Sequence, residues 1–347
     1  AKEIWRFSQF AVASARMALE DAKFEITPAN CHQVAACFGT CINGFEKIEE
    51  SHLTFLTKGF RSLDPLTCLE YSTHAPVSHV SIELGIKGPT MTLASGCSTG
   101  LDVIKWGYDQ IRTGTANAVV AGSTEAPLVP LAFATFCAIE GLSRRNDAPT
   151  KASRPYDLNR DGLVLGEGGG AVVLEPLDSA LDRGASIYAE VLGYGIASEA
   201  VHLRKVDPSG QALAKAIQHA LSDAELSIDN IDYINAHGNS LPDYDLAETN
   251  AFKRAFGDRA YSIPVSSIKS MIGQPLAASG TLQAIATALT IRHGVIPPTI
   301  NYETPDPDCD LDYVPNRSRV ARVQRALANA HSMGGTHSVI ILSRPGI

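Results

Sequence analysis

One cysteine of this chain, Cys97, lies in a setting where a thiol can act as a nucleophile. An alternating apolar run with Met91 and Leu93 precedes it, and apolar residues at helical spacing follow it. This pattern predicts a tight turn between a strand and the N-terminus of a helix. Unpaired backbone N–H groups and the positive end of the helix dipole favour a thiolate there. The alternative for an isolated cysteine is a buried, inert side chain.

A cysteine nucleophile needs a group that handles protons and donors for a developing oxyanion. His237 follows a predicted strand and precedes a Gly-Asn-Ser turn, where a side chain can point into a cleft. Lys269 lies between another strand and a glycine-containing turn, which suggests a buried, oriented cation. The backbone N–H groups of Met333-Gly334-Gly335 could stabilise an oxyanion. A structural histidine, a surface lysine and a simple hairpin turn are the alternatives.

Short apolar strands alternate with helices, which indicates a layered α/β fold. The predicted helices cover residues 6–21, 73–84, 101–111, 211–221 and 276–293. The predicted strands cover residues 34–38, 118–121, 171–174, 188–194, 231–236, 264–267, 325–330 and 338–342. Residues 53–66 are predicted as a mixed loop or short helices. The strand–Cys97–helix unit has a counterpart in a strand–His237–helix unit, which suggests two related halves.

The composition indicates a globular protein. Apolar residues make up 45% of the 347 residues and charged residues 19%. The net charge of −8 argues against a general nucleic-acid binder. No run approaches the roughly 20 apolar residues that span a bilayer, and Ala1-Lys2-Glu3 carries no signal-peptide pattern.

The cysteines predict neither disulfides nor a metal site. Seven are present without a paired framework, and no Cys-x-x-Cys motif or histidine-rich cluster suggests zinc. Reduced thiols in a cytoplasmic protein are the simplest interpretation.

Several motifs together resemble one enzyme family. The chain is similar to the elongating β-ketoacyl acyl-carrier-protein synthases of fatty acid and type II polyketide synthesis, within the thiolase-like superfamily. The residues that carry the resemblance occur in family order: Arg6-Phe7-Ser8-Gln9-Phe10-Ala11, Gly96-Cys97-Ser98-Thr99-Gly100, Gly122-Ser123-Thr124-Glu125-Ala126, Arg154-Pro155-Tyr156-Asp157, Arg160-Asp161-Gly162, Gly166-Glu167-Gly168, Asn235-Ala236-His237-Gly238, Lys269-Ser270-Met271-Ile272-Gly273, Pro297-Pro298-Thr299-Ile300-Asn301 and Cys309-Asp310-Leu311-Asp312.

The resemblance implies a five-layered αβαβα fold made of two pseudo-repeated halves. Residues 1–175 would form the N-terminal half with the nucleophile, its first strand missing from this sequence. Residues 176–347 would form the C-terminal half with the catalytic histidine. Such enzymes are usually dimers, so a homodimer or a heterodimer with a related ketosynthase subunit is expected.

The resemblance also implies a reaction and roles for individual residues. Cys97 would accept an acyl group from acyl carrier protein, and His237 would lie beside the thioester carbonyl of the malonyl extender. Lys269 would be a supporting cation, and the backbone N–H groups of Cys97 and Met333 would form the oxyanion hole. Decarboxylation of the malonyl thioester and condensation would follow. The substrates are carried on the phosphopantetheine of the carrier, and no separate cofactor is expected.

The chain departs from the family pattern around this implied site. Gln274 stands where a second catalytic histidine is expected, and Gln283 replaces a carboxylate nine residues further on. The Thr-x-Thr that normally holds the pantetheine arm reads Asn239-Ser240-Leu241. Asn239 and Leu241 are therefore the predicted substrate-binding residues.

Further departures concern the gate. In the glycine loop, with Gly334, two aromatic gate positions are occupied by His331 and Met333. His331 is a possible substitute for the absent histidine, or it only reshapes the pocket. Phe45 is a further predicted substrate-binding residue.

Three functions remain open. The first is a condensing enzyme with a Cys97/His237/Gln274 triad, in which the glutamine donates an N–H to a thioester oxygen. The second is a non-condensing transacylase or gatekeeping acyl carrier on the same fold. The third is a catalytically idle partner subunit like a chain-length factor, and the intact Cys97 argues against it.

An acidic carrier protein needs a local basic patch on an enzyme of net negative charge. The candidate residues are Lys58, Arg61, Lys151 and Arg154. The alternative for each is an ordinary solvated charge or an internal ion pair.

Overall fold

The computed structural model describes residues 4–346; residues 1–3, where no signal peptide was predicted, and residue 347 lie outside the described part. The chain divides into two compact units that alternate along the sequence. The first unit contains the stretch up to Ile139, Leu165–Ser186 and Pro275–Thr281. The second contains Glu140–Val164, Ile187–Gln274 and the stretch from Leu282 onward. The predicted boundary between residues 175 and 176 stays a prediction.

The first unit consists of a four-stranded sheet with helices. Its helices are α1 (Arg6–Ala22), α2 (Phe45–Lys58), α3 (Thr67–Glu70), α4 (Ala75–Leu84), α5 (Thr99–Arg112), α6 (Pro130–Ala138) and α7 (Leu177–Asp182). Its strands are β1 (Val34–Gly39), β2 (Thr90–Leu93), β3 (Ala118–Glu125) and β4 (Gly168–Leu174). The sheet order is β2-β1-β3-β4, in which β4 runs antiparallel to β3 and the other pairs are parallel. Helix α1 buries Ala11, Ala15 and Leu19, spaced four apart, against apolar residues of this sheet.

The second unit contains a five-stranded sheet. The strands of this sheet are β5 (Glu190–Ser198), β6 (Tyr233–Asn235), β7 (Val265–Ser266), β10 (Arg325–His331) and β11 (Thr336–Ser343). Two further strands, β8 (Val295–Ile296) and β9 (Arg319–Val320), form a separate antiparallel pair. Its helices are α8 (Gln211–Asp223), α9 (Pro242–Phe256), α10 (Lys269–Ile272) and most of α11 (Ala278–His293). The order is β5-β11-β10-β6-β7.

The two sheets share one connection plan. The order β2-β1-β3-β4 matches β7-β6-β10-β11, and in both sheets two parallel pairings are followed by one antiparallel pairing. The α/β class is therefore confirmed, and the topology agrees with two related halves. The specific counterpart predicted from the sequence is wrong, because β2, which precedes Cys97, matches β7, whereas His237 follows β6.

One stretch differs from its prediction. Residues 53–66 were expected as a mixed loop or short helices, but α2 (Phe45–Lys58) continues through residues 53–58, and only the rest of the stretch has the expected form, with a short 3-10 helix at Phe60–Ser62. None of its residues is fully buried, and its apolar Leu53 and Leu56 are mostly exposed. Ile48, in the first turn of α2, packs against a buried cluster that contains Trp5 and Phe7, whereas the apolar residues in the second half of the helix are mostly exposed. The apolar spacing is therefore an unreliable guide within residues 53–58. Among residues 4–346, no helix has the length and apolar character needed to cross a membrane.

Candidate active site

Cys97 lies where the sequence predicts it. Strand β2 ends at Leu93, a single 3-10 turn covers Gly96–Ser98, and α5 begins at Thr99. The Ser95 backbone N–H donates to Thr99 Oγ1 over 2.8 Å, which fixes the chain at the helix entry. The Cys97 side chain is partly exposed, so it is not an inert core cysteine.

Glycines make this turn possible. Gly96 has a φ of 68°, in the left-handed region that glycine adopts without strain. A Cβ on Gly100 would lie 2.2 Å from the backbone nitrogen of Thr281, so only glycine allows this close packing against the start of α11. The first turn of α5 therefore packs directly against the backbone of Gly280 and Thr281.

A buried carboxylate organises the neighbouring loop of the first unit. Glu125, at the end of β3, accepts hydrogen bonds from Thr40 Oγ1 at 2.7 Å and from the Cys41 backbone N–H at 2.9 Å. Burial raises the pKa of Glu125, and these donors partly oppose that rise. Burial, Glu125 and Cys97 together raise the pKa of Cys41, so Cys41 stays a thiol at neutral pH.

His237 is buried at the carboxyl end of β6 in the second unit. Its backbone N–H donates to Glu248 Oε1 at 2.7 Å, and its ring Nδ1 accepts the His331 backbone N–H at 3.2 Å. Burial, followed by the charges of Lys269, His331 and His337, lowers the pKa of His237 well below 6.5. The imidazole is therefore neutral at pH 7.

The hydrogen bonds around His237 leave two donors side by side. A neutral imidazole has one N–H and one lone pair. The lone pair is on Nδ1, because Nδ1 accepts from His331, so Nε2 carries the proton. Asn239 Nδ2 lies 3.2 Å from that Nε2, and Asn239 Oδ1 already accepts the Leu241 backbone N–H at 3.0 Å. Two N–H groups cannot bond each other, but together they can bind one oxygen acceptor.

Two carboxylates on α9, which the sequence analysis did not single out, hold this loop. Glu248 accepts from the backbone N–H of His237 and of Gly238, and Asp245 accepts from the Asn239 N–H at 3.0 Å. Burial raises the pKa of Asp245 to about 7, although Arg160 opposes the rise. The three-residue spacing of the two acids on one helix face was the available sequence signal.

Lys269 is a buried cation at the start of α10. Its Nζ donates to the His237 carbonyl at 2.7 Å and to Gln283 Oε1 at 2.9 Å. The Gln283 Nε2 donates in turn to the carbonyls of Ala236 and Asn329, each at 3.0 Å. Lys269 and Gln283 thus fix the backbone that carries His237.

Gln274 is also buried. Its backbone N–H donates to the Val164 carbonyl at 2.7 Å, whereas its side-chain Oε1 is buried without a hydrogen-bond partner in the described part of the chain. The side-chain oxygen of Gln274 therefore contributes no hydrogen bond to the described fold.

The predicted turn at Met333 and Gly334 is the hairpin between β10 and β11. Gly334 and Gly335 have φ values of 95° and 87°, which this tight turn requires. Met333 and Leu241 both pack against a small apolar cluster of the second unit, which consists of Val206, Tyr244 and Ala247. The structure therefore brings together Leu241 and Met333, as well as His237, Lys269 and Asn239.

Phe45 and Cys97 belong to the first unit, and the other predicted site residues belong to the second. Phe45 is half-buried at the start of α2. One of the predicted carrier-binding residues is wrong: Arg154 is 2% exposed and pairs with Asp157 at 3.0 Å and Glu303 at 3.0 Å.

The remaining candidates for the carrier patch lie at the surface. Lys58 and Arg61 are exposed, and the Arg61 guanidinium lies over the Phe60 ring. Lys151 is 54% exposed and forms an ion pair with Glu303 at 2.7 Å.

Two family models match this chain. The β-ketoacyl synthase N-terminal domain matches residues 1–180, and the β-ketoacyl synthase C-terminal domain matches residues 188–303. The chain is 42% identical to 3-oxoacyl-acyl-carrier-protein synthase 2 of Coxiella burnetii, over 97% of this chain and 82% of that protein. It is 44% identical to the ketoacyl synthase alpha subunit of the tetracenomycin polyketide synthase of Streptomyces glaucescens, over 98% and 81% of the two chains.

Solved structures give the same result. A type II polyketide acyl carrier protein in complex with its ketosynthase superposes with a TM-score of 0.94 at 36% identity, over 97% of this chain and 84% of that chain. The ishigamide ketosynthase/chain length factor superposes with a TM-score of 0.91 at 34% identity, over 99% and 83% of the two chains. The chain therefore belongs to the β-ketoacyl synthase family of acyltransferases, which has a thiolase-like α/β fold.

Proposed function

We propose that this chain takes an acyl group from acyl carrier protein onto Cys97 and condenses it with a malonyl thioester. The Cys97 thiolate attacks the acyl thioester and releases the carrier thiol. Loss of CO₂ from the malonyl thioester gives an enolate, whose carbon attacks the acyl-Cys97 carbonyl. The tetrahedral intermediate then expels the Cys97 thiolate and leaves a 3-oxoacyl thioester on the carrier.

The observation that carries this proposal is the pair of donors at His237 and Asn239. Decarboxylation places negative charge on the thioester oxygen, and oriented N–H donors in a buried site stabilise such charge. The His237 Nε2–H and the Asn239 Nδ2–H, with their nitrogens 3.2 Å apart, supply two donors to one oxygen. A second imidazole besides that of His237, such as the His331 ring, is therefore not needed for decarboxylation.

Gln274 occupies the position at which family members have the second histidine. Its amide can also donate an N–H, and its oxygen has no hydrogen-bond partner among residues 4–346. Asn239 is the better-supported second donor because its nitrogen is close to that of His237, and Gln274 remains the alternative. Burial, and after it the charge of Lys269, lowers the pKa of His237 and keeps the ring neutral, and Lys269 also holds the His237 carbonyl.

Other roles follow from the family pattern. The backbone N–H groups of Cys97 and Met333 would form the oxyanion hole for the acyl carbonyl, with Gly334 allowing the hairpin to turn. Leu241, which packs against the same apolar cluster as Met333, and Phe45 would contact the substrate arm or chain. The carrier phosphopantetheine would hold both substrates, so that no further cofactor takes part.

We further propose two protein partners. One is acyl carrier protein, since a family member with the same fold is bound to one. The other is a second ketosynthase-fold subunit, either a copy of this chain or a chain-length-factor-like protein, as in the ishigamide ketosynthase/chain length factor. The exposed cations Lys58 and Arg61 are the proposed docking residues for the acidic carrier.

The test uses two carrier proteins in sequence. Acyl carrier protein should add one acyl mass to the protein, at a peptide containing Cys97, and Cys97→Ala should abolish the addition. Malonyl carrier protein should then release CO₂ and yield an acyl chain extended by two carbons. Acylation without CO₂ release would instead make the protein a transacylase, and no acylation at all would make it an idle partner subunit.

A further inference from the structure

Three side chains with metal-binding chemistry meet at the ends of three neighbouring strands. His331 on β10 pairs directly with His337 on β11, and Glu199 follows the last residue of β5. The His337 Nε2 lies 2.8 Å from Glu199 Oε1, and the His331 Nε2 lies 3.5 Å from the same oxygen. One ligand atom from each residue lies within 4.8 Å of the other two.

This cluster is buried and incompletely hydrogen-bonded. The three side chains are 2–5% exposed. His337 can donate its Nε2–H to Glu199, but none of the residues that the structure describes forms a hydrogen bond with the buried His331 Nε2. A buried polar nitrogen that lies near a carboxylate without a hydrogen bond to it costs free energy, so the His331 Nε2 still requires a partner.

Two imidazoles and a carboxylate are the ligand set of many zinc sites. Ligands held about 2.1 Å from one tetrahedral ion lie about 3.4 Å apart. The Glu199 Oε1 lies 3.5 Å from His331 Nε2 and 2.8 Å from His337 Nε2, so small side-chain rotations would bring the three to such an ion. Magnesium and calcium prefer oxygen-rich sites and fit this set poorly.

We propose that Glu199, His331 and His337 form a binding site for a divalent transition metal of the zinc class. Two imidazole nitrogens and one carboxylate oxygen would bind the ion, and a fourth position would stay open for water or another ligand. This assignment does not depend on the proposed function.

A bound ion would stiffen the glycine hairpin between β10 and β11. His331 and His337 lie on either side of that hairpin, and the Glu199 backbone N–H also bonds the Gly335 carbonyl. The His331 backbone N–H is the group that fixes the His237 ring. This last consequence rests on the proposed function: in a ketosynthase, the metal would both stiffen the hairpin and help to fix the orientation of the His237 ring.

No metal site was predicted from the sequence, because Glu199 lies more than a hundred residues before the two histidines. Only the register of β5, β11 and β10 brings the three together. The spacing His331–x₅–His337 matches two ligands on facing strands of a hairpin, a signal that cysteine-centred zinc motifs do not cover.

The test starts from protein freed of metal with EDTA. Calorimetric titration with Zn²⁺ should show a site of one ion per chain, and Co²⁺ should give visible absorption of a four-coordinate ion with nitrogen and oxygen ligands. Glu199→Gln and His331→Phe should each weaken this binding by about tenfold or more. His219→Ala removes an exposed histidine on α8 and should leave it unchanged.

A second measurement is the melting temperature. Zn²⁺ should raise it in the parent protein and in His219→Ala, and much less in the two ligand variants. His331→Phe keeps an aromatic ring between Tyr244 and His337, and Glu199→Gln is isosteric, so at least one variant is expected to fold. The proposal is overturned if no ion binds, if the ligand variants bind as tightly as the parent, or if Co²⁺ shows a sulfur charge-transfer band from cysteine ligands.

Discussion

Replacing Asn239 by alanine should slow decarboxylation strongly and leave acyl loading almost unchanged. The change removes one of the two N–H donors that lie 3.2 Å apart beside His237. Loss of one oxyanion donor typically lowers kcat by about 10²–10³-fold, or about 2.7–4 kcal/mol of transition-state stabilisation. Loading of Cys97 does not involve the malonyl oxygen, so it should change by less than about threefold.

A stability cost accompanies this change and has to be separated from it. Asn239→Ala also leaves the Leu241 N–H without its 3.0 Å acceptor, which costs about 1 kcal/mol of folding free energy. Asn239→Asp keeps that acceptor but places an acceptor oxygen, not a donor, beside the His237 Nε2–H. The aspartate variant should therefore fold like the parent and still lose decarboxylation.

The assay measures CO₂ release from malonyl carrier protein and, separately, acylation of Cys97 by mass spectrometry. Asn250→Ala is a matched control, since Asn250 lies on α9 and donates to the Pro208 carbonyl at 2.9 Å. Full decarboxylation in both Asn239 variants, or an equal loss of loading and decarboxylation, would refute the two-donor arrangement.

Three further predictions follow from the same contacts. Gln274→His should change the decarboxylation rate by less than about threefold if Asn239 is the second donor, and a gain of tenfold or more would show that position 274 limits the chemistry. The folded-state pKa of His237 lies below 6.5, so the unfolded chain binds the proton first and the protein loses stability as the pH falls through 6.5. Between pH 7 and 5.5, the free energy of unfolding of His237→Phe should therefore fall by about 1 kcal/mol less than that of the parent. Equal losses in denaturant titrations would contradict this. Arg61→Glu should weaken carrier binding about fivefold. Lys151→Glu should weaken it less, because Glu303 already neutralises Lys151. If fluorescence anisotropy gave Arg61→Glu the same carrier affinity as the parent, Arg61 would be excluded from the docking surface.

The local unit around Cys97 could be predicted from the sequence because its determinants are close neighbours. Apolar spacing predicts the strand and the helix, and Gly96 and Gly100 mark the tight turn. The same reasoning applies to His237, which follows a short buried strand. Such units depend on local periodicity and turn residues more than on distant contacts.

Predictions about exposure were less successful because partners distant in sequence decide burial. Arg154 was assigned to a surface patch, yet it is buried against Asp157 and Glu303. Glu303 is about 150 residues away, and no local pattern indicates that it returns to Arg154. Helix α2 shows the opposite case, since its apolar Leu53 and Leu56 are mostly exposed although the helix continues through them.

Hydrogen-bond partners of the site residues were also beyond the sequence. The position of Asn239 beside the His237 ring depends on the Leu241 N–H, which holds the amide oxygen and turns the nitrogen towards the histidine. The tautomer of His237 depends on the His331 backbone, almost a hundred residues later. Strand register sets these contacts, and register was not derivable from one sequence.

The most direct measurement is a crystal structure with a malonyl-pantetheine amide, in which nitrogen replaces the thioester sulfur and prevents turnover. The carbonyl oxygen of that amide should lie about 3 Å from both His237 Nε2 and Asn239 Nδ2, with the malonyl α-carbon facing Cys97 Sγ. A carbonyl oxygen beyond hydrogen-bond distance of His237 and Asn239, or a ligand bound away from Cys97, would contradict the proposed condensation.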